Sequence, residues 1–213
     1  MEKLASSLNA RSSQYPDVAY YLHGNCYLNV SNRCTLRCRF CPKFNHTWEV
    51  QGYNLRLTQE PSVAAMLLAV GDPSNYKEIV FCGLGEPTLR LYDVLKVARA
   101  IRARGVRRVR LNTDGLANLV HGKDVTPDLE DHIDALSVSL NAHDSSLYDY
   151  HCRPSHEKSY QAVIDFVLRA KAFVPDITVT AINGLEGVDI AACKKIADDL
   201  GVKFRERFLG QVG

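Results

Sequence analysis

Three cysteines stand close enough together in the sequence for one loop to carry all of them. Cys34, Cys38 and Cys41 have C-x3-C-x2-C spacing within the segment SNRCTLRCRFCPKF (31–44). Three thiolates on one tight loop can bind three corners of a cubane iron–sulfur cluster. The fourth iron is then free to bind and reduce a substrate, whereas a fully ligated cluster usually only relays electrons. The spacing therefore predicts a reactive [4Fe–4S] site.

A structural zinc site is the alternative interpretation of the same cysteines. Zinc sites usually combine C-x2-C pairs with four protein ligands. A fourth ligand here would have to be a residue such as His46, since the sequence has no second cysteine pair. Cys26 is near enough to stay open as a ligand, although it lies inside a predicted strand. On this interpretation the chain is a non-catalytic zinc-binding module.

A glycine-containing loop follows the next predicted strand, in the segment FCGLGEP (81–87). Gly83 and Gly85 would let the backbone approach a ligand, and Glu86 would add a hydrogen-bond acceptor. This loop is expected one β/α unit after the cysteines, at the same edge of the sheet. The two segments together predict a binding pocket.

Polar side chains also end the third and fourth predicted strands, in NTDG (112–115) and SLNAHD (139–144). Their compact hydrogen-bonding groups suit ribose hydroxyls or the positioning of a substrate. A plain Asx turn before the glycine is the alternative for the first segment. The candidate contacts are Asn112, Thr113, Asp114, Ser139 and Asn141.

The 213-residue composition is that of an ordinary soluble protein, with a net charge of +2. So small an excess does not indicate nucleic acid as a partner. A run of arginines between positions 99 and 110 fits a solvated face at the N-terminal rim of the sheet. The seven cysteines, the missing signal-peptide pattern and the absence of a membrane-length apolar run predict a cytoplasmic protein.

Strands and helices alternate along most of the chain, in about six β/α units. This order predicts an α/β fold with a parallel sheet. A full eight-unit barrel normally needs about 250 residues, so we expect an open partial (β/α)6 TIM-like barrel with the site at the strand C-termini. Residues 1–18 are predicted to be a flexible tail and 19–213 a single domain. We also expect a helix to begin near Pro61, and Ser159 to cap another.

The cysteine loop, with Phe40 before its last cysteine, resembles the signature of the radical S-adenosylmethionine superfamily. The order of strand, cluster loop, helix, strand and glycine loop is similar as well, over about residues 19–208. The segments FCGLGEP, ANLVHGKDVTP, SLNAHD and CRP are most similar to the small radical S-adenosylmethionine proteins linked to TatD-family hydrolases. The superfamily more often has Asn where Asp114 stands.

The resemblance implies that a reduced [4Fe–4S] cluster cleaves S-adenosylmethionine to a 5′-deoxyadenosyl radical, which abstracts hydrogen from a substrate. An external flavodoxin or ferredoxin would supply the electron. The glycine loop would bind the methionine amino group, Ser139 a ribose or carboxylate group, and Arg153 the methionine carboxylate. Residues 179–182 would lie against adenine. Arg153 at the surface, beside a proline turn, is the alternative.

The substrate is not identified by these motifs. A glycyl-radical-type activase acting on a protein partner is one possible subclass, and a link to a TatD-family hydrolase is another implied partnership. Cys152 is a candidate catalytic residue, as a hydrogen-atom relay, or else an inert buried thiol. Further candidate substrate contacts, each with packing or solvation as the alternative, are His46, Trp48, Tyr53, His121, Lys123, Tyr148, Tyr150 and His151.

Overall fold

A computed structural model describes residues 17–45 and 47–210 of the chain. Within these residues, seven strands form one sheet in the order β1-β2-β5-β6-β7-β8-β9, and β3 pairs with β4 in a small hairpin. The strands are β1 (Ala19–Leu22), β2 (Asn25–Asn29), β3 (Glu49–Val50), β4 (Tyr53–Asn54), β5 (Ile79–Cys82), β6 (Val109–Thr113), β7 (Ala135–Ser139), β8 (Asp176–Asn183) and β9 (Lys203–Phe208).

Helices connect the strands of the main sheet. They are α1 (Val63–Val70), α2 (Leu91–Ala103), α3 (Ala117–His121), α4 (Ser145–Cys152), α5 (Ser159–Ala170) and α6 (Ile190–Leu200). Short 3-10 turns lie at Pro42–Asn45, Pro73–Asn75, Pro87–Arg90 and Thr126–Leu129. The apolar stripe of α2, which includes Val94, Ala98 and Ile101, is buried against the sheet.

The α/β fold with a mostly parallel sheet agrees with the sequence prediction. β1 pairs with β2 in an antiparallel hairpin, and every neighbouring pair from β2 to β9 is parallel. The sheet ends at β1 on one side and at β9 on the other, so it is not a closed barrel. The C-terminal ends of the six parallel strands therefore share one edge, where a site is expected.

Several predicted element boundaries are wrong, for local reasons. The helix α1 begins at Val63 and is capped by Ser62, so Pro61 lies before the cap. Ser159 does not cap α5 but is its first residue, and its hydroxyl donates to the carbonyl of His156. The helix α4 was not predicted at all, because its sequence SSLYDYHC shows no apolar stripe.

The predicted N-terminal tail extends over 1–18, and residues 1–16 lie outside the described part of the chain. Asp17 and Val18 belong to the fold instead. The Asp17 backbone N–H donates to Asn54, and the Val18 carbonyl accepts from the Asn29 N–H at 2.9 Å. In the described part of the chain, no helix has both the length and the apolar character that crossing a bilayer requires.

Candidate functional site

A cavity of about 250 Å³ lies at the C-terminal ends of the strands. It brings together the cysteine loop, the glycine loop and the ends of β6, β7 and β9. Of the residues predicted to form the site, those that line it are Cys34, Cys38, Phe40, Cys41, Gly83, Gly85, Glu86, Asn112, Thr113, Asp114, Ser139 and Asn141. Ile182, from the segment expected to lie against adenine, lines it too.

The cysteine loop is fixed by the end of helix α4. The Arg37 N–H donates to the Cys152 carbonyl at 3.0 Å, and the Arg39 N–H donates to the His151 carbonyl at 2.8 Å. Leu36 forms an isolated antiparallel bridge with Pro154. These contacts hold the loop on the cavity wall, so that all three cysteine side chains face one space.

The glycine loop packs against the chain that leads into the cysteine loop. A Cβ atom on Gly85 would lie 2.5 Å from the Arg33 carbonyl oxygen, and one on Gly83 would lie 2.5 Å from the Asn29 Oδ1. The Glu86 N–H donates to the same Arg33 carbonyl at 2.7 Å. The prediction that these glycines clear space for a ligand is therefore incomplete, because the space is filled by backbone and side chain of the protein.

Glu86 accepts four hydrogen bonds from the protein. Its Oε1 accepts from the N–H and hydroxyl of Thr88 and from the hydroxyl of Thr113, and its Oε2 accepts from the Asp114 N–H at 2.7 Å. Burial and the neighbouring Asp114 carboxyl raise the pKa of Glu86 to about 8. The predicted acceptor for a ligand thus serves to join the glycine loop to the end of β6.

Asp114 extends this network to the cysteine loop. Its Oδ2 accepts from the Thr35 hydroxyl at 2.7 Å, and its Oδ1 accepts from the Leu116 N–H at 3.0 Å. Burial raises the pKa of Asp114 as well. Thr35 directly follows Cys34, so the Asp114 side chain positions the first cysteine of the loop.

Within residues 17–45 and 47–210, two buried polar atoms near the cysteines have no hydrogen-bond partner, namely Asn141 Oδ1 on the cavity wall and the Tyr148 hydroxyl behind it. Asn141 lines the cavity with a left-handed backbone (φ 62°), and its Nδ2 donates to the Cys152 sulfur at 3.6 Å. Cys152 is fully buried and its thiol contacts that of Cys38. Unpartnered buried polar atoms are costly unless a ligand satisfies them.

Other predicted residues are not brought to this cavity. Arg153 caps the end of α4 in a left-handed conformation (φ 46°) with an exposed side chain, so the alternative, a surface arginine, describes it. Tyr148 is buried behind the cysteines, and His121 bonds to the Thr88 carbonyl. His46 lies outside the described residues. Trp48, Tyr53, Lys123, Tyr150 and His151 are absent from the described cavity wall.

Two arginines of the cavity wall, Arg205 and Arg207 on β9, were not predicted as site residues from the sequence. The segment KFRERF (203–208) alternates basic and other residues, and alternate residues of a strand share a face. This alternation could have shown that the two arginines lie on one face of the strand.

The residues present fit an iron–sulfur cluster with a cofactor bound beside it. Burial raises the pKa of the Cys34 and Cys41 thiols, so their thiolates need a compensating positive charge such as cluster iron supplies. The unpartnered Asn141 Oδ1 offers an acceptor on the same cavity wall. Among the described residues, no three His, Cys, Asp or Glu side chains converge as ligands of one metal ion.

A family model described as the Radical SAM superfamily matches residues 28–200. No curated protein matches the sequence. Solved structures do match the fold. TYW1 with a bound lysine–pyruvate adduct superposes with a TM-score of 0.60 at 14% identity, over 90% of this chain and 67% of that one.

Two further solved structures share the fold. The FeFe-hydrogenase maturase HydG from Carboxydothermus hydrogenoformans has a TM-score of 0.60 at 18% identity, over 87% of this chain and 44% of that one. Streptococcus suis SuiB, bound to its precursor peptide SuiA, has a TM-score of 0.57 at 15% identity, over 85% of this chain and 38% of that one. This chain thus spans less than half the length of the latter two proteins.

Proposed function

The chain belongs to the Radical SAM superfamily, and on this premise we propose that it is an enzyme whose Cys34, Cys38 and Cys41 hold a [4Fe–4S] cluster beside S-adenosylmethionine. Members of the superfamily are enzymes, and the family implies both cofactors. The observation that carries the site assignment is that all three cysteines line one cavity together with the glycine loop and the strand ends. We also propose that the open sheet with its helices is a partial (β/α)6 TIM-like barrel.

When both groups are bound, the reduced cluster and S-adenosylmethionine supply a 5′-deoxyadenosyl radical that abstracts hydrogen from a substrate. The protein contributes position and exclusion of water. Glu86 and Asp114 hold the loops that carry the cysteines and the glycines. Asn141 offers its unpartnered Oδ1 as an acceptor. Leu36 and Phe40 give the cavity an apolar wall close to the cysteines.

We further propose that the substrate is a peptide or a protein. A glycyl-radical-type activase, which acts on a protein partner, is one enzyme of this kind. Residues of both edge strands line the cavity, Tyr20 from β1 and Phe208 from β9. The cavity therefore reaches the gap between the two sheet edges, which would admit a large substrate. SuiB, a protein of this fold, binds a precursor peptide, which supports the same proposal.

The electron donor, the compartment and the partner protein of this chain also belong to the proposal. A flavodoxin or ferredoxin would donate the electron, and the chain would act in the cytoplasm as a single domain. The segments FCGLGEP, ANLVHGKDVTP, SLNAHD and CRP support membership of the TatD-linked subgroup and a partnership with a TatD-family hydrolase.

The proposed function is tested by anaerobic reconstitution followed by reduction with dithionite. We expect a brown protein with about four irons per chain, which forms 5′-deoxyadenosine from S-adenosylmethionine. Cys38→Ala should abolish this product, whereas the control Cys193→Ala, a buried thiol in α6 outside the cavity wall, should retain it. A colourless protein that binds zinc instead, or full turnover by Cys38→Ala, would contradict the proposal.

A further inference from the structure

The last strand of the sheet presents two arginines to the cavity. On β9, Arg205 and Arg207 are separated by one residue, so their side chains lie on the same face of the strand. Both line the cavity that also holds the three cysteines. Arg207 lies close enough to Cys38 for the two side chains to interact electrostatically. Two positive charges therefore face the region where the proposed reaction takes place.

Neither arginine forms an ion pair with an acidic side chain among residues 17–45 and 47–210, although Glu78 lies near enough to Arg205 to act on it electrostatically. Arg205 donates to the Ser137 hydroxyl at 3.2 Å, a neutral acceptor on β7. By contrast, Arg110 on β6 forms an ion pair with Glu78 at 2.9 Å. Partial burial and mutual repulsion lower the pKa of Arg207 below its usual range, and partial burial with Arg110 nearby lowers that of Arg205. Arginine still remains charged in proteins.

The acidic groups of the cavity wall do not supply the missing negative charge. Glu86 already accepts four hydrogen bonds within the protein, and Asp114 accepts two. The described part of the cavity wall therefore carries two guanidinium groups that form no ion pair.

We propose that Arg205 and Arg207 form a binding site for an oxyanion, that is, a carboxylate or phosphate group of a molecule bound in the cavity. Guanidinium groups are weakly hydrated and bind the paired oxygens of carboxylates and phosphates in a two-point geometry. The Ser137 hydroxyl and the Asn112 amide lie on the same wall and can share in binding the anion. A charge held in a partly desolvated cavity is stabilised by such a partner.

The oxyanion could come from either of two sources. One is a substrate with a carboxylate or phosphate group, and the other is the methionine carboxylate of S-adenosylmethionine itself. The assignment to either source rests on the proposed function, whereas binding of an anion by these arginines does not.

The test is calorimetric titration of the anaerobically reconstituted protein with inorganic phosphate and, separately, with S-adenosylmethionine. The double variant Arg205→Gln/Arg207→Gln keeps the side-chain length and removes both charges. Arg169→Gln is the matched control, because Arg169 lies on the exposed face of α5 and pairs with Asp124.

If the arginines bind the substrate, phosphate should bind the wild type even when S-adenosylmethionine is saturating. The double variant should then bind phosphate at least tenfold more weakly, while its affinity for S-adenosylmethionine stays unchanged. If the arginines instead bind the carboxylate of the cofactor, S-adenosylmethionine should compete with phosphate. The double variant should then lose at least tenfold in affinity for S-adenosylmethionine. Both results support an oxyanion site, and they distinguish its source. In either case Arg169→Gln should behave as the wild type.

Equal affinities of the wild type and the double variant for both ligands would overturn the proposal. Its failure can be separated from that of the proposed function. A wild type that binds phosphate through these arginines but forms no 5′-deoxyadenosine would contradict the enzyme assignment alone.

Discussion

Glu86 and Asp114 are buried carboxyl groups that connect the three loops of the site. Together they bond to the glycine loop, to the end of β6 and to Thr35 beside the first cysteine. Both pKa values are raised, because burial disfavours the ionised form of each carboxyl, and the neighbouring Asp114 carboxyl helps to raise the pKa of Glu86 to about 8. The pair of carboxyls therefore keeps at least one proton over a range of pH in which exposed carboxyls are ionised.

This retained proton makes the stability of the cluster-free protein dependent on pH. Glu86 titrates at about 8 in the folded chain and near its ordinary 4.5 when unfolded. Between these values the folded state binds more protons, so the free energy of unfolding should fall as pH rises, by up to about 1.4 kcal/mol per pH unit. Urea denaturation at several pH values measures this slope.

Asp114→Asn should flatten that slope and make the protein more stable than the wild type at pH 8. The asparagine can still accept from the Leu116 N–H, and the Thr35 hydroxyl can turn to accept from the new amide. Asp198→Asn is the control, because Asp198 is exposed on α6. Parallel pH profiles of the wild type and Asp114→Asn would show that the two carboxyls are not coupled.

At the scale of elements, the site depends on the contact between the glycine loop and the segment that precedes Cys34. Gly85 is the centre of this contact, with carbonyl oxygens of Ser31 and Arg33 where its side chain would be. The Glu86 N–H bonds to one of these carbonyls. The two loops can approach so closely only because position 85 has no Cβ atom.

Gly85→Ala should therefore destabilise the protein by about 1–3 kcal/mol, the usual cost of overpacking, and lower the iron bound on reconstitution. Gly105→Ala is the matched control, since a Cβ there meets no atom within 4 Å. Its positive φ of 83° should cost about 1 kcal/mol without changing the iron content. Denaturation and iron analysis check both variants. Equal iron in Gly85→Ala and the wild type would contradict the role given to this contact.

The alternation of strands and helices could be predicted because each element carries its own hydrophobic period. The helix α4 could not, because its residues are mainly polar and its buried face arises from packing behind the cysteine loop. Asp144 caps α4, since its carboxylate accepts from the Leu147 N–H, and this residue was the one local indication that a helix begins here. Without α4 as a helix, the sequence could not decide between the two interpretations of Arg153, a cofactor contact and a surface arginine.

For the molecule as a whole, the predicted pocket residues converge because parallel strands bring their C-terminal ends to one edge. The cysteine spacing and the glycine loop are local patterns, so they could be read from the sequence. The hydrogen bonds that Glu86 accepts from Thr113 and Asp114 could not, because they join two separate loops whose contact depends on how the sheet packs. Arg205 and Arg207 lie 164 or more residues from Cys41, so only the folded sheet brings them to the cysteines.

The central claim is that three cysteines leave one iron of the cluster available to S-adenosylmethionine. Electron–nuclear double resonance on the reduced, anaerobic protein tests it, with the cofactor labelled by nitrogen-15 in its amino group and oxygen-17 in its carboxylate. We expect magnetic coupling of the cluster to both labels. An electron paramagnetic resonance spectrum that the cofactor leaves unchanged, with no coupling and a fourth protein ligand such as Cys152 on the cluster, would contradict the account.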